Sequence, residues 1–430
     1  MKIICLFLLS TVYLYASIRI DSATSIALDA SIEQATIKSS SDASDEKLKK
    51  DIRRQLKFLI GPLNFYNGTP DLGHVEINIT NKNKEEDEVL QTVTYDAKFL
   101  VSWDKSKPVP TQFKAILPLS IKAKYLKEFY QSYSQTCSQN PQNPDINKSN
   151  FYYYFRPEVN NCILQFNLPT DEKTKVALHK YLSLKISSVN SENKYPEYDK
   201  VWEDKQLVYT IIFATDKKGE KFNDPGIHSF NQFYQSLIRM FGQPSHTVPK
   251  TVLGTGPQGF QNPSVAVHFN TYKGVVKVNL LLVDKYAVQN PPEYLKKSME
   301  NLSPITDVIS YNGHSSYGRN IQAVAAMGDF KPERYHLFYF NGCDSFSYVD
   351  DSLRAKISGL NGPAATEYQY LDMIVNSMPS YFHQMVNSNS QLLAELFNSR
   401  YTFRQLLSTF DPNQKAIVVG EHDNLYSPSF

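Results

Sequence analysis

The 430-residue chain has no excess of one charge: 45 Lys and Arg stand against 43 Asp and Glu, for a formal net charge of +2. That leaves no broad cationic field of the kind that nucleic-acid binding needs. Cysteine is scarce, with four in the whole chain, and no C-x-x-C or H-E-x-x-H spacing occurs, so a zinc site has no local support and no cofactor is expected. Glycine is sparse as well, at 17 residues. Its one dinucleotide-like run, Gly254 to Gly259, leads into Pro263 and a strand instead of opening a helix. Beyond the N-terminus no apolar run approaches the roughly 20 residues that a membrane-crossing helix requires.

What is present is apolar and aromatic. Hydrophobic residues make up 41% and aromatics 13%, with 28 Tyr and 25 Phe, which excludes a mainly disordered chain and suits strand-rich globular packing. The length makes two domains the default expectation. Residues 1–16 (Met-Lys, an apolar run from Ile3 to Tyr15, then Ala16) have the layout of a secretory signal peptide, with an uncleaved anchor as the rival reading. Cleavage removes Cys5 and leaves three cysteines. Cys137 and Cys162 flank a polar stretch that a disulfide would staple, and Cys343 is left over as a single thiol in an oxidising compartment. Four Asn-x-Ser/Thr sites (Asn67, Asn78, Asn147, Asn301) accept glycans only in a eukaryotic secretory route.

Patterning divides the remainder. Residues 17–44 read as a polar leader, and Leu48, Ile52 and Leu56 mark a helix capped near Asp42 or Ser44. Residues 45–195 read as a β-rich N-terminal domain of mainly antiparallel strands, with helices expected over 121–134 and 171–181. From 201 to 430 strands and helices alternate: Leu207–Ala214, Val275–Asp284, Asp307–Tyr311 and Tyr335–Phe340 as strands, a mostly helical tail over 366–408, and a last strand at 416–420. This grammar predicts an α/β domain with a mostly parallel sheet flanked by helices. No internal repeat is visible.

Two of those strands end in reactive groups. One leads into Gly313-His314-Ser315-Ser316 and the other into Gly342-Cys343-Asp344. Neighbouring parallel strands joined by one short helix bring His314 and Cys343 to the same carboxyl edge, the geometry that a thiolate–imidazolium pair requires. A strand ending in Gly-His and a second ending in a small residue and Cys resemble the caspase-like superfamily of cysteine peptidases, which includes gingipain, legumain and clostripain. The resemblance covers the C-terminal half only. It implies a caspase-like fold there, His314 as general base, Cys343 as nucleophile, an oxyanion hole from backbone N–H groups around Gly313, Ser315 and Gly342, and a peptide or protein substrate. The family usually has Gly where this chain has Ser315, and Ala or another small residue where it has Gly342. Asp284, at the end of the preceding strand, is the candidate for orienting the imidazole. Asp344, Asp350 and Asp351 are candidates for holding a basic substrate side chain.

Two alternatives use the same residues. Gly313-His314-Ser315-Ser316-Tyr317 approaches the G-x-S-x-G nucleophile elbow, with Ser315, Asp351 and His422 in hydrolase chain order, but Tyr317 replaces the second Gly. An exported surface or binding protein that keeps the fold without catalysis is the other.

Overall fold

The computed structural model describes residues 18–85, 89–160, 162, 176–219, 223–252, 259–362, 367–421 and 426–428. The proposed signal peptide, His422, residues 171–175 of the expected second helix and most of the Gly254–Gly259 run lie outside the described residues. The protein is α+β, built on one antiparallel sheet and one larger mixed sheet.

Strand β1 (Ile18–Asp21) is followed at once by β2 (Ser25–Ser40), a 16-residue strand. The expected polar leader is therefore structured, and the correction has a local cause. Leu28, Ala30 and Ile32, then Ala35 and Ile37, alternate with polar residues at a period of two, and all five are buried. Small Ala and Ser residues mask that alternation in the sequence. Strand β2 pairs with β5 (Leu90–Asp104) and β7 (Ala177–Ile186), with β3 (Thr69–Pro70), β4 (Glu76–Lys84) and β6 (Gln112–Pro118) completing an antiparallel sheet of six. The helix expected over 171–181 is thus strand from residue 177 onward, where ladder pairing with β6 overrides local propensity.

The helix Asp45–Leu56 packs Leu48, Ile52 and Leu56 against this sheet, and its N-cap is Ser44, whose hydroxyl accepts from the Lys47 N–H. Gln55 fixes its position. The buried amide donates to the carbonyls of Thr36 and Pro118 and accepts from the Tyr95 hydroxyl, so one side chain links the helix to three strands. Cys137 and Cys162 lie at disulfide distance, with Cα atoms 5.2 Å apart.

The second sheet has nine strands. In spatial order they are β1, β15 (Ala416–Glu421), β14 (Leu371–Asn376), β13 (His336–Asn341), β12 (Val308–Asn312), β8 (Gln206–Ala214), β11 (Val275–Val283), β10 (Ser264–Asn270) and β9 (His246–Val248). The five central strands run parallel, and both edges are antiparallel, so the sheet is mixed where a mostly parallel one was expected. Two further readings are corrected. Strand β14 sits inside the stretch expected to be mostly helical, because its short apolar run has no period to distinguish a buried strand from a buried helix. Strand β1 closes the far edge by pairing with β15, so residues 18–21 belong to the C-terminal sheet. One hydrophobic cluster runs from the antiparallel sheet (Ile32, Tyr95) and the helix Ala123–Tyr133 (Phe129) into the mixed sheet (Ile212, Tyr311, Phe340). No described helix is long and apolar enough to cross a membrane.

Candidate active site

The register aligns three strand tips. Asn312 at the end of β12 pairs with Asn341 at the end of β13 and, on its other side, with Phe213 of β8. The residues that follow each tip therefore emerge at one carboxyl edge: His314 after β12, Cys343 after β13 and Asp216 after β8. His314 and Cys343 line the same cavity of about 400 Å³, which Tyr153, Tyr154, Lys285 and Tyr317 help to enclose.

His314 is held by Asp216. The imidazole Nε2 lies 2.9 Å from Asp216 Oδ1, and the ring packs edge-on against Phe382 at a centroid distance of 5.4 Å. Asp216 is itself fixed by the buried Asp224, which accepts from the backbone N–H groups of Asp216 (3.0 Å) and Lys217 (2.9 Å) while capping the helix Pro225–Phe241. The His314 backbone is equally constrained: its carbonyl accepts from the Tyr311 hydroxyl at 2.8 Å and from the buried Asn320 amide at 3.0 Å. Ser316 and Tyr317 then adopt left-handed φ values of 48° and 57°, strain of the kind that ordered functional loops store.

Beneath the tips lies a network of amides. Asn341 donates to Asn312, Asn389 donates to Asn312, Asn376 donates to Asn341, and Gln414 donates to Asn341 and Asn376, all within 2.6–3.2 Å and all buried. The tips of β12, β13 and β14 are thereby tied together through low-dielectric hydrogen bonds, which rigidify the floor of the site.

The sulfur is oriented differently from the expected ion pair. Cys343 Sγ donates to the Ser380 carbonyl at 3.5 Å, and no hydrogen bond joins it to the imidazole among the described residues. Burial pushes the thiol above its ordinary range, and the Asp344 carboxylate pushes it further, against the opposing effect of its bonds to Ser380 and Tyr153.

The other candidates separate clearly. Asp284 has no hydrogen bond to the imidazole among the described residues and accepts instead from the Gly219 and Tyr286 N–H groups at 2.6 and 2.8 Å. The strand before β12 in sequence is β11, whereas its neighbour in the sheet is β8, and the orienting carboxylate belongs to β8's loop. The Ser315 hydroxyl is buried and donates to the Cys343 carbonyl at 2.6 Å, so it ties the two loops together. Asp351 pairs with Arg354 and lies in other cavities, which leaves the serine alternative without its acid. Gly342 is required where it stands, since a Cβ there falls 2.4 Å from Ser315 Oγ. A Cβ on Gly313 falls 2.7 Å from that of Ala214, and the Gly313 N–H is turned to the Asn341 carbonyl at 3.4 Å, away from an oxyanion role.

None of the three acidic residues faces the cavity. Asp344 is fully buried against the N-terminal sheet, accepts from Thr69 Oγ1 at 3.0 Å, and is pushed up by that burial to about 6. Asp350 caps the helix Asp351–Asn361. The cavity lining carries Lys285 and Arg319 instead, so a basic substrate side chain has no acidic partner there. No group of three or more potential metal ligands occurs among the described residues. Sequence reasoning missed Asp216 and the tyrosines of the 151–154 turn. The signal for Asp216 was available, because it follows the apolar strand Leu207–Ala214 as His314 and Cys343 follow theirs. Comparison with protein-family models, curated proteins and solved structures finds no match to this chain.

Proposed function

We propose that the protein is an exported cysteine hydrolase, a peptidase with a caspase-like C-terminal part, in which Cys343 is the nucleophile and His314 the general base. The observation that carries this reading is the convergence of His314 and Cys343 from adjacent parallel strands onto one cavity, with Asp216, from the next strand, hydrogen-bonded to His314. Asp216 occupies Nε2 and so leaves Nδ1 as the nitrogen to take the thiol's proton, the role of the third member in acid–base–nucleophile triads. The cysteine pair supports export, since disulfides persist in oxidising compartments.

With burial raising the thiol's hold on its proton, the chemistry follows a general-base course. Substrate displaces the sulfur from the Ser380 carbonyl; Sγ attacks the peptide carbonyl carbon as His314 takes its proton. The amine then leaves with that proton, and water, deprotonated by His314, hydrolyses the thioester to free Cys343. Asp216 steadies the imidazolium that forms at each stage. A second reading, a binding protein with an inert thiol, is favoured by the upward displacement of Cys343.

Two variants decide between them. Under the hydrolase reading, Cys343→Ala abolishes peptide cleavage, and His314→Ala slows iodoacetamide alkylation of Cys343 at neutral pH. Cleavage by the Cys343→Ala protein, or an alkylation rate indifferent to His314, refutes it.

A further inference from the structure

The cavity of Cys343 and His314 shares Tyr317, Arg319 and Tyr348 with a second one of about 510 Å³. The second cavity holds Lys57, at the end of the first helix of the N-terminal sheet, and Arg53 one turn before it. Lys57 is half-buried between aromatic rings, with Nζ 5.7 Å from the Tyr152 centroid and 5.5 Å from that of Tyr348. Its hydrogen-bond acceptor is the Tyr317 carbonyl at 3.4 Å, and no carboxylate pairs with it among the described residues. Burial lowers it to about 8, and Arg54 and Arg319 add repulsion, yet it remains largely charged at neutral pH. Arg319 likewise has no carboxylate partner, its Nε being turned to the Ser316 carbonyl.

The acids at the far end are already engaged. Asp350 accepts from the Ser352 N–H and from Gln322, and Asp351 is held by Arg354. Two exposed guanidinium groups and one half-buried ammonium therefore share the groove with Asp350 and Asp351, and because Arg354 holds Asp351, the cations outnumber the one carboxylate left without a charged partner among the described residues. For Lys57, the one of the three that is half-buried, an arriving anion offsets the cost of holding charge away from water. The groove that the two cavities share at the Tyr317 and Tyr348 rings exceeds in each part what one side chain fills.

We propose that this groove binds an acidic polypeptide segment, the substrate passing from Cys343 over Tyr317 with carboxylates seated on Lys57 and Arg319. The proposal rests on the hydrolase reading for its choice of a peptide, and its test is independent of cleavage. Full-length Cys343→Ala protein is titrated with a fluorescent peptide of alternating Glu and Gly and with its Lys counterpart, read by anisotropy. The Glu peptide binds about tenfold or more tighter, and the difference shrinks with added salt. The exposed Arg319→Gln substitution weakens it severalfold, and Lys57→Gln with Arg319→Gln weakens it about tenfold, while Lys57→Arg retains most of the affinity. Equal affinity for the Glu and Lys peptides overturns the proposal, as does unchanged binding by a folded Arg319→Gln, Lys57→Gln protein. Displacement of the Glu peptide by an oligonucleotide of equal charge at lower concentration also overturns it. An inert Cys343 in a protein that binds the Glu peptide sinks the hydrolase reading and leaves the groove standing.

Discussion

His74 clamps the loop that follows β3 onto the C-terminal half. Its Nδ1 lies 2.8 Å from Asp71 Oδ2 and its Nε2 3.6 Å from Asp351 Oδ1, with the imidazole nearly enclosed. Burial alone lowers such a group; Asp71, and behind it Asp351 and Asp350, outweigh burial and raise it from the ordinary 6.5 to about 9. The folded state therefore binds a proton that the unfolded chain releases first. At about 1.4 kcal/mol per factor of ten in proton affinity, the imidazolium contributes about 3 kcal/mol to stability. A raised value means the contribution is complete below pH 6.5 and is lost as pH rises through about 9. Substituting His74→Gln keeps hydrogen bonding to Asp71 but removes the charge. Guanidinium unfolding of both proteins across that range isolates the effect, since every other titrating group cancels in the difference. The stability gap is expected to be largest at the acid end and to shrink by about 3 kcal/mol on crossing to the alkaline end. A gap that stays constant from pH 6.5 to 9 refutes the charged clamp.

Asp216→Asn is expected to lower the rate of peptide cleavage about five- to thirtyfold, since a charged hydrogen bond discounted for partial exposure contributes about 1–2 kcal/mol. Asp284→Asn, whose carboxylate is bonded to the Gly219 and Tyr286 N–H groups and not to the imidazole, is expected to leave that rate within about twofold, and steady-state kinetics of both variants separate the two carboxylates. Gly342→Ala is expected to lower thermal stability by about 1–3 kcal/mol through its clash with Ser315 Oγ, and adding Ser315→Ala to recover part of it; no recovery means that another neighbour, such as Ile321, sets the limit. Replacing Cys137 and Cys162 by Ser releases a loop with a sequence separation of 25, expected to cost about 3 kcal/mol in urea unfolding, and an unchanged midpoint contradicts the cross-link.

Much of the site was legible along the chain because a buried strand ending in a small residue and a reactive one is a local pattern. His314 and Cys343 carry it, and the topology inferred for β12 and β13, two parallel strands joined by one short helix, is the one observed. The odd cysteine count separated Cys343 from the Cys137–Cys162 pair by the same kind of local reasoning. Periodicity failed where its contrast is weak. In β2 small Ala and Ser residues mask the alternation, and in β14 every position is buried.

What lay beyond the sequence is the set of relations that depends on which strands are neighbours. The order β13, β12, β8, β11 places Asp216 beside His314 and removes Asp284 from it, although Asp284 is nearer in the chain. The same long-range packing buries Asp344 against Thr69, brings Lys57 of the first helix to the rim of a cavity formed by residues near 317 and 348, and returns β1 to the edge of the last strand. The physical reason is common to all of them. Hydrophobic pattern and turn chemistry are short-range and write themselves into adjacent residues, whereas strand order and inter-sheet contact are chosen by burial over the whole chain, and a carboxylate's partner and a thiol's proton affinity follow from that choice.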